Sequence, residues 1–368
     1  MAYQTPGTPR FYICTLQWLK AQGLLSIANT SFEDVALQEN LIGINPTDVK
    51  KLIFNPDAQN IYGANDVVRY NTTFPLGNIM SNDNNFAMAL GHNFGSAESS
   101  FWVAEGTGDY SQGPITPLVN IEGSADTSTI DYDGFSIVTG NNAANMAENV
   151  IQFRFDYQGD VNVYNDLSLK IGSLLYGNYY DMPHSPDLNV KLSYEMDGVK
   201  TIQSKGGASL SNATHFGPPD WGDAGAWQLG GLSNLRTGRR VIDLSFSFIS
   251  ETDIFPVNAS GSHAAYTNDG YYTDDDTNPT TGFNDIATTS EEGGTAGEFT
   301  SNILTGQDFF SQVWNRTMGG HLPMIVQMSN TNNNPDQFML ARFDQSSLEI
   351  TQTAPLLYSI SLKIRESW

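Results

Sequence analysis

Cysteine is nearly missing from this chain of 368 residues: Cys14 stands alone. That excludes an intrachain disulfide and any metal site built from several thiolates, and it fits synthesis in a reducing cytoplasm. Cations are scarce too. Against 40 Asp and Glu there are 17 Lys and Arg, a formal net charge of −23, and residues 70–153 and 241–315 hold no Lys or Arg at all. Such a surface repels phosphate backbones and anionic headgroups, so neither nucleic acid nor an anionic membrane is an expected partner. No apolar segment reaches the ~18–20 residues of a membrane-crossing helix. The opening MAYQTPGTPR has no basic stretch followed by an apolar one, so neither membrane insertion nor ordinary secretion is expected.

The motifs of common chemistries are missing as well. His92, His184, His215, His263 and His321 lie in separate contexts with no HExxH pairing, which leaves zinc without a site. No GxSxG elbow is present, and GGASLS (206–211) lacks the lysine and spacing of a phosphate loop. Asp274, Asp275 and Asp276, and the pair Asp131 and Asp133, offer the loop oxygens that calcium takes. Neither set has the alternating acids and closing Glu of a calcium loop, so solvated loop acids are the favoured reading; whether calcium orders the 251–301 loop stays open. A glycosidase requires only two carboxylates across a cleft, and a chain with 40 acids always supplies a pair. Trp102, Tyr179, Tyr180, Trp221 and Trp227 are the aromatics that would stack on a sugar, although core or interface positions are their commoner use. The expectation is no catalytic residue, no cofactor and no metal, in a protein that is not an enzyme.

What remains is β-pattern. The chain is rich in aromatics and glycine and poor in charge, which reads as folded and β-rich. The early residues carry most of the helix signal. PRFYICTLQWLKAQGLL (9–25) places Tyr12, Leu16, Leu19 and Gly23 on one side of a helix that Gly23 would stop. SFEDVALQENLIG (31–43) opens with a capping pattern, and NPTDVKKLIF (45–54) has Asn45 as cap and Pro46 in the first turn. From residue 67 short strands alternate with turn clusters: VVRYNTTFPL, NIMSNDNNFAMALGHNF, SSFWVAEG, TIDYDGFSIVTG, NVIQFRFDYQG and DLSLKIGSLLYG. In IQFRFDY, Ile151, Phe153, Phe155 and Tyr157 alternate with polar residues, the period of a strand with one face in the core. Beyond residue 186, Leu188, Val190, Leu192, Tyr194 and Met196 alternate up to a hairpin signal at Asp197-Gly198. Ile242, Leu244, Phe246 and Phe248 alternate in RRVIDLSFSFIS, and QFMLARFD, SLEITQTA and LYSISLKIRESW read as a closing antiparallel meander. GQDFFSQVWNRTMGG (306–320) reads as a helix presenting Phe310, Val313 and Trp314.

The fold class expected is mainly β: two β-sandwich modules, one of them a jelly roll, with a short helical N-terminal segment and one helix near 306–318. The domain division expected is a helical segment over 1–66 packing on the rest, a jelly-roll sandwich over 67–177, and a second β-rich module over 178–368 with a long loop at 251–301.

NFAMALGHNFGSA, IQFRFDYQG and KIGSLLYGNYYDMPHSPDL resemble the discoidin-like (galactose-binding-like) jelly roll of tailed-phage virion proteins. The positions that carry the likeness are the corner Gly91, His92 and Asn93, and the late strand exit Ile171, Gly172, Leu174 and Gly177. SPDLNVKLSYEMDGVKTIQSKGGASLSN, PPDWGDAGAWQL, RTGRRVIDLSFSFIS and the closing LYSISLKIRESW resemble proteins of marine tailed phages, those of cyanobacteria included. The likeness covers about residues 70–368. It implies a virion structural protein of the tail, placed as a distal-tail, adaptor or baseplate part. Such a protein assembles in the host cytoplasm into a symmetric homo-oligomer, contacts other tail proteins, and connects the tail to host-contacting parts.

Two other classes stay open: a host-recognition protein that binds a surface glycan, and a tail enzyme that degrades one. For assembly, the 306–320 helix, the 218–231 loop and the 251–301 loop are the expected interface elements. His184, between two prolines in its loop, reads as a hydrogen-bonding lock. His92, flanked by glycines and Asn93, reads as a neutral, hydrogen-bonded corner residue rather than a catalytic one.

Overall fold

The computed structural model describes residues 6–27, 41–44, 50–52, 66–73, 76, 80, 84–96, 99–105, 133–139, 150–157, 169–196, 199–213, 238–254, 306–334 and 337–367. Numbering strands along the chain, one antiparallel sheet runs through most of them. Its order is β11 (Lys191–Glu195), β14 (Arg239–Ser250), β18 (Leu357–Glu366), β16 (Phe338–Phe343), β15 (Met324–Gln327), β1 (Arg10–Cys14), β10 (Ser173–Asp181), β5 (Asn85–His92) and β7 (Gly134–Thr139), with β17 (Ile350–Ala354) also on β18. The fold is mainly β, as the strand patterns require.

The strand at the centre is one the sequence reading makes helical. RFYIC is a strand, and helix α1 covers only Thr15–Ala21. An unbroken apolar run fits a strand buried on both faces as well as a helix, and its aromatic and β-branched residues favour the strand. Tyr12 and Cys14 enter one core cluster; Phe11 and Ile13 enter the other. Adjacent side chains of a strand point to opposite faces, so the two cores lie on opposite sides of the sheet and β1 belongs to both. Gly177 on β10 permits this close pairing, since a Cβ there would run into the Ile13 carbonyl oxygen. Helix α1 ends as its glycine predicts: Gly23 sits at φ +72°, with Gly23 N–H on the Lys20 carbonyl (3.0 Å) and Leu24 N–H on the Leu19 carbonyl (2.9 Å), a complete Schellman motif.

Over the β1–β10–β5–β7 part lies a four-stranded sheet of β2 (Leu25–Ile27), β4 (Asp66–Thr72), β8 (Val150–Tyr157) and β6 (Ser99–Glu105). Its Val68, Tyr70, Ile151, Phe153 and Phe155 share a core with Tyr12, Phe86, Met88 and Tyr176, which makes a sandwich of the two sheets. Residues 50–52, expected as helix, form β3 and pair with β9 (Leu169–Ile171). The opposite core gathers Phe11, Ile13, Leu244, Phe246, Met324, Met339, Ile360 and Ile364 under a π-helix (Phe310–Asn315) and a short helix α2 (Glu251–Ile254).

The helix expected near 306–318 is present, but Phe309 rather than Phe310 fills the core, beside Val313. Gly320 follows it with room only for hydrogen, a Cβ standing 2.8 Å from that of Phe343. The closing strands are antiparallel without being a simple meander. β14 lies along one edge of β18, while β17 and β16 divide the other. A buried ion pair ties β14, β18 and β16: Arg240 Nη2 meets Glu366 Oε1 at 3.0 Å and donates to the Phe338 carbonyl at 2.7 Å.

Candidate assembly surface

Strand β11 is the last of the large sheet among the described residues. It pairs with β14 so that Leu192 stands opposite Ile242 and Tyr194 opposite Arg240. Cross-strand partners point to the same side, and Ile242 is buried in the second core. Leu192 therefore carries that apolar face outward to the sheet edge, where the cover stops. Leu188 is 85% exposed and Tyr194 60%, with Val190, Leu192 and Met196 also exposed. The alternation legible in the sequence is real, but it marks a surface rather than a core.

The turn expected at Asp197-Gly198 lies outside the described residues, although Val199 N–H donates to the Met196 carbonyl across it at 3.3 Å; among the described residues no ladder joins the segments on its two sides. β11 pairs with β14, and β12 (Thr201–Gln203) pairs with β13 (Ser209–Ser211) in a separate two-stranded sheet. The turn lies at Ser204–Gly207, with Ser204 N–H on the Ala208 carbonyl at 2.9 Å. Every residue from Lys200 to Ala213 is exposed. The cross-strand pair Ile202 and Leu210 is 64% and 54% exposed. A lone two-stranded hairpin is marginally stable in water and gains stability by packing. This arm also holds Lys200 and Lys205 and no acid from Val199 to Ala213, an inversion of the charge of the whole chain.

A second apolar site lies at the far end of β14. Its pairing with β18 shifts between Phe246 and Ile249, and this bulge turns Phe248 out of the core, 69% exposed at φ +63°. The sequence alternation puts Phe248 beside Phe246 in the core; the inserted bulge residue changes its side. Leu356, in the β17–β18 turn, also has φ +63° and an exposed side chain, and its carbonyl accepts the Glu251 N–H at 3.1 Å. Left-handed backbone costs a non-glycine residue about 1–2 kcal/mol. Among the described residues the non-glycine positions that bear it are Phe248, Met318 and Leu356, all large, apolar and exposed.

Compared with known protein families, curated proteins and solved structures, the chain matches none.

The residues singled out for chemistry are placed as follows. His92 is buried and stacks on Phe94 at 4.0 Å. Its Nδ1 accepts the Phe94 N–H (3.3 Å), and its Nε2 lies 2.7 Å from Ser136 Oγ. Burial pushes its pKa down to about 3, partly offset by a backbone hydrogen bond at Phe135. The ring is thus neutral and holds a corner. The same corner takes up Asp133, whose carboxylate accepts both the N–H and the hydroxyl of Ser96. Asn93 exchanges hydrogen bonds with Lys170, Oδ1 accepting its N–H at 2.6 Å, so the Gly-His-Asn and Lys-Ile-Gly stretches lie side by side.

His184 Nδ1 donates to the Ser185 carbonyl at 2.8 Å, and the ring leans on Phe246. His321 is exposed. Arg10 lies over the ring of half-buried Tyr179 at 4.0 Å, and Tyr180 is buried with its hydroxyl donating to the Asp253 carbonyl. Asp131, His215, His263, Trp221, Trp227, the acids Asp274, Asp275 and Asp276, and the side chain of Trp102 lie outside the described residues. Among the described residues no group of 3 or more His, Cys, Asp or Glu is arranged to hold a metal, and no helix is long and apolar enough to cross a membrane.

Of the expected interface elements, the 218–231 loop and residues 255–301 of the long loop also lie outside the described residues. The π-helix is committed to the core through Phe309, Val313 and Arg316, and Met318 is the large apolar side chain it leaves outside. Sequence reasoning missed the arm and Phe248. The signal for the arm was available, in an acid-free, lysine-bearing stretch within a strongly acidic chain.

Proposed function

We propose that this protein is a structural component of a tailed-phage virion, placed in the tail or baseplate as a distal-tail or adaptor part. It acts by assembling into a symmetric homo-oligomer that connects the tail to host-contacting pieces. The observation that carries the reading is the uncovered apolar surface of β11 and the arm. Large apolar side chains are exposed on both elements; apolar surface that gathers in patches marks interaction sites, and a neighbour that covers it removes that surface from solvent. The resemblance of residues 70–368 to phage tail proteins supplies the setting.

The function is mechanical: a subunit whose surface is completed by its neighbour forms a joint, and closed symmetry sets the copy number. Structure determination of intact particles, with the chain located and its copies counted, tests this. The expected result is a ring of identical copies in the tail. A chain absent from the particle, or one that stays monomeric at high concentration, would overturn it.

A further inference from the structure

We infer that the β12–β13 arm of one copy docks on the Phe248–Leu356 end of a second copy, head to tail. The inference rests on the assembly reading and names the two surfaces that meet.

The arm brings Ile202 and Leu210 side by side, with Lys200 and Lys205 on the same hairpin. The other site holds Phe248, in the β14 bulge, and Leu356, whose carbonyl accepts the Glu251 N–H just past the end of β14, and two acids bond the hydroxyls of β14 beside Phe248. Asp187 accepts the Ser247 hydroxyl at 2.8 Å, and Asp253 accepts the Ser250 hydroxyl at 2.7 Å. Residues 241–315, which include Phe248 and Asp253, hold no Lys or Arg. An apolar pair with cations thus finds, on the same chain, an apolar pair with anions. Such complementarity fixes partner and register.

The two sites cannot be meant for each other within one copy. The arm follows Glu195, which pairs with Arg239 at one end of β14, and Phe248 lies near the other end. Nine residue steps of extended strand separate them, about 30 Å. The exposure of Ile202, Leu210 and Phe248 shows that neither site covers the other. Two different patches at opposite ends make a heterologous contact, which closes into a ring when the rotation permits.

The test uses full-length protein with single new cysteines, since the native Cys14 is buried. Ile202→Cys and Phe248→Cys proteins are oxidised separately and as an equal mixture. Covalent dimers are expected in the mixture and not in either alone. Separately, Lys200→Glu combined with Lys205→Glu is expected to weaken association about tenfold and to leave thermal unfolding of the monomer unchanged. If the wild type assembles but the mixture gives no cross-link, or Ile202→Cys alone cross-links as well, this docking is wrong and assembly itself stands. A wild type that never leaves the monomer sinks both.

Discussion

Strands β1 and β11 lie in one sheet and treat apolar residues in opposite ways. β1 is covered on both faces: Phe11, Tyr12, Ile13 and Cys14 are all buried. β11 extends the face of the second core to the sheet edge and leaves it in water. The difference lies in what is packed above each strand. Alternation along a strand says which side chains share a face; it does not say whether a cover exists for that face. The apolar row on β11 is therefore exposed surface, the surface that the proposed assembly would cover.

The sharpest way to break this contrast is truncation on each side of it. Phe11→Ala empties a fully buried aromatic site packed on Phe309 and Phe343, and should lower unfolding free energy by about 3–5 kcal/mol. Tyr194→Ala should change it by less than about 0.5 kcal/mol. Denaturant titration of both under conditions that keep the protein monomeric decides; similar losses would show that β11 is core after all.

Glu366→Ala probes the clamp that ties β14, β18 and β16 together. It leaves Arg240, largely buried, without its carboxylate, and should destabilise by about 3 kcal/mol. A loss below 1 kcal/mol, about the median for a surface pair, would mean the pair acts like an exposed one.

His92 ties stability on the sealed side to pH. Its folded pKa of about 3 lies below the unfolded value of 6.5, so the unfolded chain takes up the proton first. Its contribution is fully present above pH 6.5 and is lost as pH falls toward about 3, at up to about 1.4 kcal/mol per pH unit. His92→Gln should flatten the stability profile within that window. An unchanged slope would mean the ring is charged or exposed in the fold.

The smallest effect has the opposite sign. Phe248→Asn relieves left-handed strain at an exposed site and should raise monomer stability by about 1 kcal/mol while weakening assembly. A destabilised monomer would place Phe248 among packing residues.

The strands from 66 to 181 were legible from short β-prone runs set between turn clusters, and in β4 from alternation, Val68 and Tyr70 buried beside half-buried Arg69 and Asn71; β5 is buried along its whole length. The sequence reading mistook RFYIC, where both faces are apolar and period carries no information. It misread residues 50–52, where pairing to β9 overrides a helical start signal. Phe248 was invisible because a bulge changes the face of one residue without changing composition. The His92 corner was readable from local turn chemistry. The arm was legible as an acid-free, lysine-bearing stretch but its exposure was not, because a hairpin pattern has the same appearance whether its apolar pair meets a core, a neighbour or water.

Sedimentation of the wild type and of an Ile202→Asp, Leu210→Asp variant across a concentration series is the most direct measurement. The wild type should form one discrete oligomer, and the variant should remain a monomer whose melting temperature equals that of the wild type at dilutions where it too is monomeric. Identical assembly of both, or a wild type monomeric throughout, would contradict the claim that this surface is finished by a second copy.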